Sequence, residues 1–154
     1  CEFDAAGIGG QRHISVSAES CEQYGMVRDE DTVEWWESQP EQARQQLDGG
    51  AELPEALDTV SKFCDRDQKI WANSPAFDVV LLEDAYRRCF KQPPWEFWNT
   101  RDMRTVRDLL PWPDELEHIE TVPAGEHHAL HDAIVQARKT RIALSRFQEV
   151  AGNE

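Results

Sequence analysis

A short apolar strand that runs directly into a helix is the feature that most constrains this fold. The stretch KIWANSPAFDVVLLEDAYRRCF, residues 69–90, opens with a buried strand at 69–72 and is broken by the Asn-Ser-Pro that follows. Helical spacing then continues to the end of the stretch, with Asp78 in the first helical turn. The side chains predicted to face inward are Phe77, Val80, Leu81, Ala85 and Cys89.

The opening residues have the pattern of a hairpin. Residues 1–3 read as the end of a strand, residues 6–10 as a glycine-rich turn, and residues 12–18 as an alternating strand. We expect the hairpin to begin upstream of Cys1, since its first strand starts abruptly.

Helix patterns fill most of the remaining chain. Asp31 with Glu34, and Ser38 with Glu41, are capping pairs that predict two short helices meeting near Ser38. Further helices are predicted from Pro54, from the end of a short strand at 98–101 through Leu110, and from Leu130 to Val150. Short strands alternating with helices predict an α/β fold, a mixed central sheet flanked by helices, in one domain over residues 1–154.

Charge and cysteine spacing restrict the class of protein. The net charge of −14 opposes non-specific binding along an extended length of nucleic acid, because such binding needs several Lys and Arg side chains on phosphates. Bound divalent cations are another source of positive charge. The four cysteines form no C-x-x-C pair, which favours reduced thiols and a cytoplasmic location. No apolar run is long enough to predict a membrane span.

Three histidines and an aspartate crowd the stretch HHALHD near the end of the chain. His127 and His131 are four apart, which is the spacing of two zinc ligands on a helix. No glutamate follows His127, and a third nitrogen or sulfur ligand is not evident nearby, so the zinc interpretation is weak.

A second interpretation joins His127 to two aspartates. Asp78 and Asp132 each lie in the first turn of a predicted helix, and carboxylates suit Mg²⁺ or Mn²⁺. A neutral histidine beside such ions can take a proton from an activated water. The alternative is that Asp78 only stabilises a helix start and Asp132 is one more surface charge. The residues alone leave both open.

A family resemblance shifts this balance. WANSPAFDVVLLEDAY and HHALHDA resemble the second and third motifs of the DnaQ-like DEDDh exonucleases, which have an RNase H-like fold. TVEWWESQPEQAR and FWNTRDMRTV are similar to the branch that contains phage exonuclease A, exodeoxyribonuclease VIII-like prophage proteins and mycobacterial-type 3′-to-5′ exoribonucleases. The resemblance runs from Cys1 to about Leu144.

The resemblance implies a Mg²⁺- or Mn²⁺-dependent 3′-to-5′ exonuclease holding two ions. It makes Asp78 and Asp132 metal ligands and His127 the general base, with His128 and His131 as bystanders. Asn73 and Phe77 flank Asp78 and are candidates to contact the terminal nucleotide, although Phe77 in the core and Asn73 as a strand end fit equally well. The implied substrate is the 3′ end of single-stranded DNA or RNA, with DNA slightly favoured.

The family's first motif, Asp-x-Glu, is absent from these residues. Glu2 and Asp4 stand in the reverse order, at a position where the family has an ordinary strand, so they are rejected as that pair. We expect the motif about 10 to 20 residues ahead of Cys1, the room that one strand and a turn require. The alternative function is a catalytically inactive RNase H-like binding or assembly module.

Overall fold

The computed structural model describes residues 1–109 and 128–151. The chain forms two compact units. The first comprises Cys1–His13, Trp71–Pro75 and Arg101–Glu154, and the second comprises Ile14–Ile70 and Ala76–Thr100.

Helices dominate the described residues. Two short 3-10 helices, Gln45–Leu47 and Phe97–Asn99, lie between the longer elements. The α-helices are α1 Ala18–Gln23, α2 Glu30–Glu37, α3 Glu41–Arg44, α4 Leu53–Phe63, α5 Asp78–Arg88, α6 Met103–Leu109 and α7 Ala129–Ala151, and the strands are β1 Ile70–Ala72 and β2 Thr100–Asp102.

The strands are few and short. β1 and β2 pair as a two-stranded sheet, and this mixture of helices and a small sheet is compatible with the predicted α/β class. Phe3 and Ile8 form one antiparallel bridge where the opening hairpin was predicted. The strand predicted at residues 12–18 is wrong, since only Val16 bridges there, to Ala51. Ser17 ends the extended stretch because its hydroxyl accepts from the backbone N–H of Ser20 and caps α1.

The second unit is built around the packing of α4 on α5. Leu57 of α4 and Tyr86 of α5 are fully buried. The Tyr86 hydroxyl lies 2.9 Å from the Leu57 carbonyl oxygen, to which it donates, and 2.9 Å from the Ser61 hydroxyl. The ring of Trp95 packs edge-on against that of Tyr86, with their centroids 5.9 Å apart, and its indole N–H donates to Glu83. These contacts fix α5, and with it Asp78 at its first residue.

The predicted inward face of α5 is mostly wrong. Phe77, Val80 and Leu81 are 63%, 53% and 45% exposed, and only Ala85 of the predicted set is buried. The buried face instead carries Val79, Ala85 and Tyr86. The Tyr86 hydroxyl bonds to Leu57 and Ser61 of α4, so the burial of Tyr86 turns this side of the helix toward α4.

The helix starts near residue 30 also differ from expectation. Asp29, not Asp31, caps α2, since its carboxylate accepts from the Thr32 N–H at 2.9 Å. Two helices do meet at Ser38, as predicted, but Ser38 ends α2, and α3 begins after Pro40 without a side-chain cap. Ser38 donates to the Trp35 carbonyl oxygen at 2.6 Å.

Replacing Tyr86 with phenylalanine should lower the free energy of unfolding by about 1 kcal/mol, because one buried hydrogen bond is lost while the ring is kept. Urea unfolding measures this. Tyr24→Phe is the control at a half-buried tyrosine and should change stability by less than about 0.5 kcal/mol. Equal effects of the two variants would contradict the role given to the Tyr86 hydroxyl.

In the first unit, α6 packs against α7. Met103 of α6 and Ile134, Ala137 and Ala143 of α7 are buried. The opening residues join this unit through Cys1, whose thiol donates to the Ala133 carbonyl oxygen at 3.4 Å. All four cysteines are free thiols, and none of the described helices is long and apolar enough to cross a membrane.

Candidate active site

Asp78 is the first residue of α5 and follows β1 after a five-residue turn. The turn ends at Phe77, which precedes the helix without a side-chain cap. A carboxylate in a first helical turn is stabilised by the unpaired N–H groups there. The predicted strand-to-helix junction is therefore confirmed, and it presents an exposed carboxylate.

Asn73 and Phe77 occupy the two ends of that turn. Asn73 directly follows β1 and is half-buried, whereas Phe77 is 63% exposed. The alternative that Phe77 belongs to the core is wrong. An exposed aromatic ring has the surface needed to stack on a base.

Asp132 lies in the first turn of α7, as predicted. Its backbone N–H donates to the His128 carbonyl oxygen at 3.0 Å, and its side chain is half-buried. His127, the predicted general base, lies outside the described residues.

The structure assigns these residues to both units. Asn73 and Asp132 belong to the first, and Phe77 and Asp78 to the second. No group of three or more His, Cys, Asp or Glu side chains within residues 1–109 and 128–151 is arranged to hold a metal ion. Asp78 and Asp132 have the oxygen donors that Mg²⁺ and Mn²⁺ prefer, so their chemistry fits such ions without completing a ligand set.

A stack of three imidazoles, His13, His128 and His131, was missed by the sequence analysis. The ring centroids of His13 and His128 are 4.7 Å apart, and those of His128 and His131 are 4.5 Å apart, with tilts of 39° and 35°. The spacing of His128 and His131 gave a signal, since residues three apart share a helix face. Nothing in the sequence links His13 to them.

The stack shapes the protonation of His13. Loss of solvent around the ring is the main cause that lowers the pKa of His13, although the residue remains exposed, and the nearby His128 and His131 lower that pKa further. Within the described residues, Nδ1 of His128 and Nδ1 of His131 are buried without a hydrogen-bond partner. Adding a proton to His13 is therefore unfavourable.

The free energy of unfolding should fall as the pH is lowered below 6.5, the ordinary pKa of histidine. Because the folded protein holds the pKa of His13 below that value, the unfolded chain binds more protons in this range. The stability is fully present above pH 6.5 and is lost as the pH falls through the lowered value. Urea unfolding between about pH 7.5 and 5.5 measures it, above the range in which carboxylates titrate. In His13→Gln the slope should decrease, and an unchanged slope would contradict this origin.

Comparison with known proteins identifies the family. The family described as "Rv2179c-like: 3'-5' exoribonuclease Rv2179c-like domain" matches residues 1–144. The chain belongs to this family. The match includes Asp78 and Asp132, and it confirms the resemblance to DnaQ-like 3′-to-5′ exonucleases.

The Rv2179c-like domain is also similar to a curated protein, "Exodeoxyribonuclease" of enterobacteria phage T4. The two are 27% identical in an alignment that covers 73% of this chain and 62% of the phage protein. The chain therefore spans less than two thirds of that relative's length. A search of solved structures found no significant match.

Proposed function

We propose that this Rv2179c-like domain is a Mg²⁺- or Mn²⁺-dependent 3′-to-5′ exonuclease of the DEDDh type with an RNase H-like fold. Its proposed substrate is single-stranded nucleic acid, and its products are nucleoside 5′-monophosphates. The observation that carries the proposal is the family match over residues 1–144, which includes both aspartates at the starts of their helices.

Asp78 and Asp132 are the proposed ligands of two divalent ions. Each aspartate sits in a first helical turn and offers carboxylate oxygens, the donors that Mg²⁺ and Mn²⁺ prefer. Two such ions, when bound, stabilise both the attacking and the leaving oxygen of a phosphodiester displacement.

His127 is the proposed general base, which takes the proton from the attacking water. An unperturbed imidazole titrates near pH 6.5, so a neutral ring is available at neutral pH. His127 precedes Asp132 by five residues in the sequence, which is the spacing of the third motif that the resemblance implies.

Asn73 and Phe77 are proposed to contact the terminal nucleotide. The 63% exposure of Phe77 supports stacking on a base. Asn73 follows β1 directly and offers both donors and an acceptor.

We propose single-stranded 3′ ends as the substrate, with DNA slightly favoured over RNA. The family's description contains "exoribonuclease", whereas the phage relative is an "exodeoxyribonuclease", so the two comparisons differ on the sugar. A protein makes this choice where its site meets the 2′-hydroxyl. The inactive binding or assembly module is not favoured, since both comparisons are with nucleases.

The test is to incubate the protein, with any upstream residues of its reading frame, with single-stranded DNA and RNA of one sequence. Each strand is assayed with Mg²⁺, Mn²⁺ or EDTA, and released nucleotides are separated by chromatography. Nucleoside 5′-monophosphates that form only with a divalent ion support the proposal, and the faster substrate decides the sugar. A folded protein that releases nothing from either strand contradicts it.

A further inference from the structure

The middle part of α7, residues 138–146, has a charge opposite to that of the chain as a whole. Residues 138–146 hold four of the 16 basic side chains and none of the 30 acidic ones. The four are Arg138, Lys139, Arg141 and Arg146. In a chain with a net charge of −14, such a segment is the kind of local positive field that attracts an anion.

A surface cavity overlaps this segment of the helix. Its volume is about 500 Å³, and it is lined by Arg141, Ile142, Ser145, Arg146 and Glu149. Thr140 and Ala143 are the buried side chains of α7 beside the cavity, and the helical period of 3.6 residues places them on a different face from Ile142, Ser145 and Glu149. The cavity is therefore turned away from the core that anchors the helix.

Arg141, which lines the cavity, has a donor without an acceptor among the described residues. That donor is the Nε–H, and Nε is buried. A buried guanidinium N–H without an acceptor is costly, and an oxyanion is the ligand that best fits the planar donors of arginine. Ser145 lies one helical turn from Arg141 and adds a hydroxyl.

We propose that the cavity formed by Arg141, Ser145 and Arg146 binds a backbone phosphate of the strand being degraded, upstream of the scissile end. This inference rests on the proposed function. Phosphate contacts of this kind hold a strand in register without reading its sequence. Such contacts also allow an acidic chain to bind nucleic acid locally, whatever its overall charge.

Helix geometry sets the length of strand required. Arg141 and Arg146 are nine and fourteen residues beyond Asp132 on one helix, which is about 14 and 21 Å along its axis. A stacked strand rises about 3.4 Å per nucleotide, so the contacted phosphate lies about four to six nucleotides from the end at Asp132. A dinucleotide does not reach the cavity.

Glu149 is the acidic residue of the lining, and it opposes an anion. Removing its charge should therefore change strand binding in the opposite direction to removing the arginines. Glu149→Gln should tighten strand binding, whereas a purely structural role of the cavity predicts no gain.

The experiment compares the full chain with Arg141→Gln/Arg146→Gln, Arg146→Gln and Glu149→Gln. Arg87→Gln is the matched control, because Arg87 is an exposed helix arginine of the second unit, outside the cavity. Binding of a fluorescent 12-nucleotide single strand is measured by anisotropy without divalent ions, over a range of salt concentrations. Hydrolysis of the 12-mer and of a dinucleotide is then measured with Mg²⁺, and thermal unfolding checks that each variant is folded.

We expect the double variant to bind the 12-mer roughly tenfold more weakly, because it lacks the charge-assisted hydrogen bonds that the two arginines donate. For this variant, the slope of log affinity against log salt concentration should become shallower by about 0.7 for each phosphate that it no longer neutralises. KM should rise for the 12-mer with kcat unchanged, and dinucleotide turnover should match the wild type. Arg146→Gln should bind less weakly than the double variant, and Glu149→Gln should bind more tightly than the wild type.

Unchanged 12-mer binding in the double variant would overturn the inference, whatever the enzyme does. An equal fractional loss of 12-mer and dinucleotide turnover in the double variant would also overturn the inference. Such a loss would indicate a distorted catalytic centre. If the strand binds as before and only self-association is lost, the cavity is an interface between copies of the chain and the inference is wrong. A wild-type protein that binds strands through the cavity but cleaves none contradicts the proposed function alone.

Discussion

His127→Ala should reduce kcat by about 10²- to 10⁴-fold, the contribution of a positioned general base. The loss should fall on kcat while KM and divalent-ion binding remain, because the imidazole is proposed to act on the attacking water and not on the strand or the ions. In the wild type, kcat should fall as the pH drops below about 6.5, and this acid limb should disappear from the residual activity of the variant.

His128→Ala is the matched control for this prediction. It removes the adjacent imidazole, which stacks on His13 and His131 and has no proposed part in the reaction. We expect it to alter stability and to leave kcat within a fewfold of the wild type. Comparable turnover in His127→Ala and His128→Ala would remove His127 from the mechanism.

Asp78→Asn and Asp132→Asn should each lower kcat/KM by roughly 100-fold or more, since metal stabilisation of the transition state contributes several kcal/mol and each 1.4 kcal/mol is a factor of ten. The amide keeps the size of the side chain but removes the charge that holds a cation. The Mg²⁺ concentration for half-maximal activity should rise in both variants, and more Mg²⁺ should restore part of the activity.

Asp31→Asn is the control for the loss of a first-turn carboxylate, because Asp31 lies in the first turn of α2. It should leave both the rate and the Mg²⁺ titration unchanged. An unchanged Mg²⁺ titration in Asp132→Asn or Asp78→Asn would mean that the residue is not a ligand.

The strand-to-helix junction at β1 and α5 could be predicted because its signals are local. An apolar run, an Asn-Ser-Pro break and a carboxylate in the first turn specify it within about ten residues of sequence. The buried face of α5 could not, because apolar side chains occur around the helix and the choice depends on hydrogen-bond partners that α4 supplies to Tyr86. The cap of α2 was misplaced by two residues for a related reason: Asp29 and Asp31 have the same chemistry, and only the backbone path distinguishes them.

The residues of the candidate site were likewise predictable only in part. Asp78 and Asp132 were predicted at helix starts, and they are there. His127 came from the family resemblance, since histidine spacing alone left a zinc interpretation open. His13 could not be assigned to the histidine stack, because its partners lie near the other end of the chain. Contacts of this range depend on tertiary structure, which local spacing does not encode.

The central claim is removal of nucleotides from the 3′ end, and a 5′-labelled single strand tests it most directly. Time points taken with Mg²⁺ should show a ladder that shortens by one nucleotide at a time from the 3′ end, and EDTA should stop it. Immediate release of the 5′ label as a mononucleotide, internal cuts without a ladder, or a ladder that persists in EDTA would contradict the account.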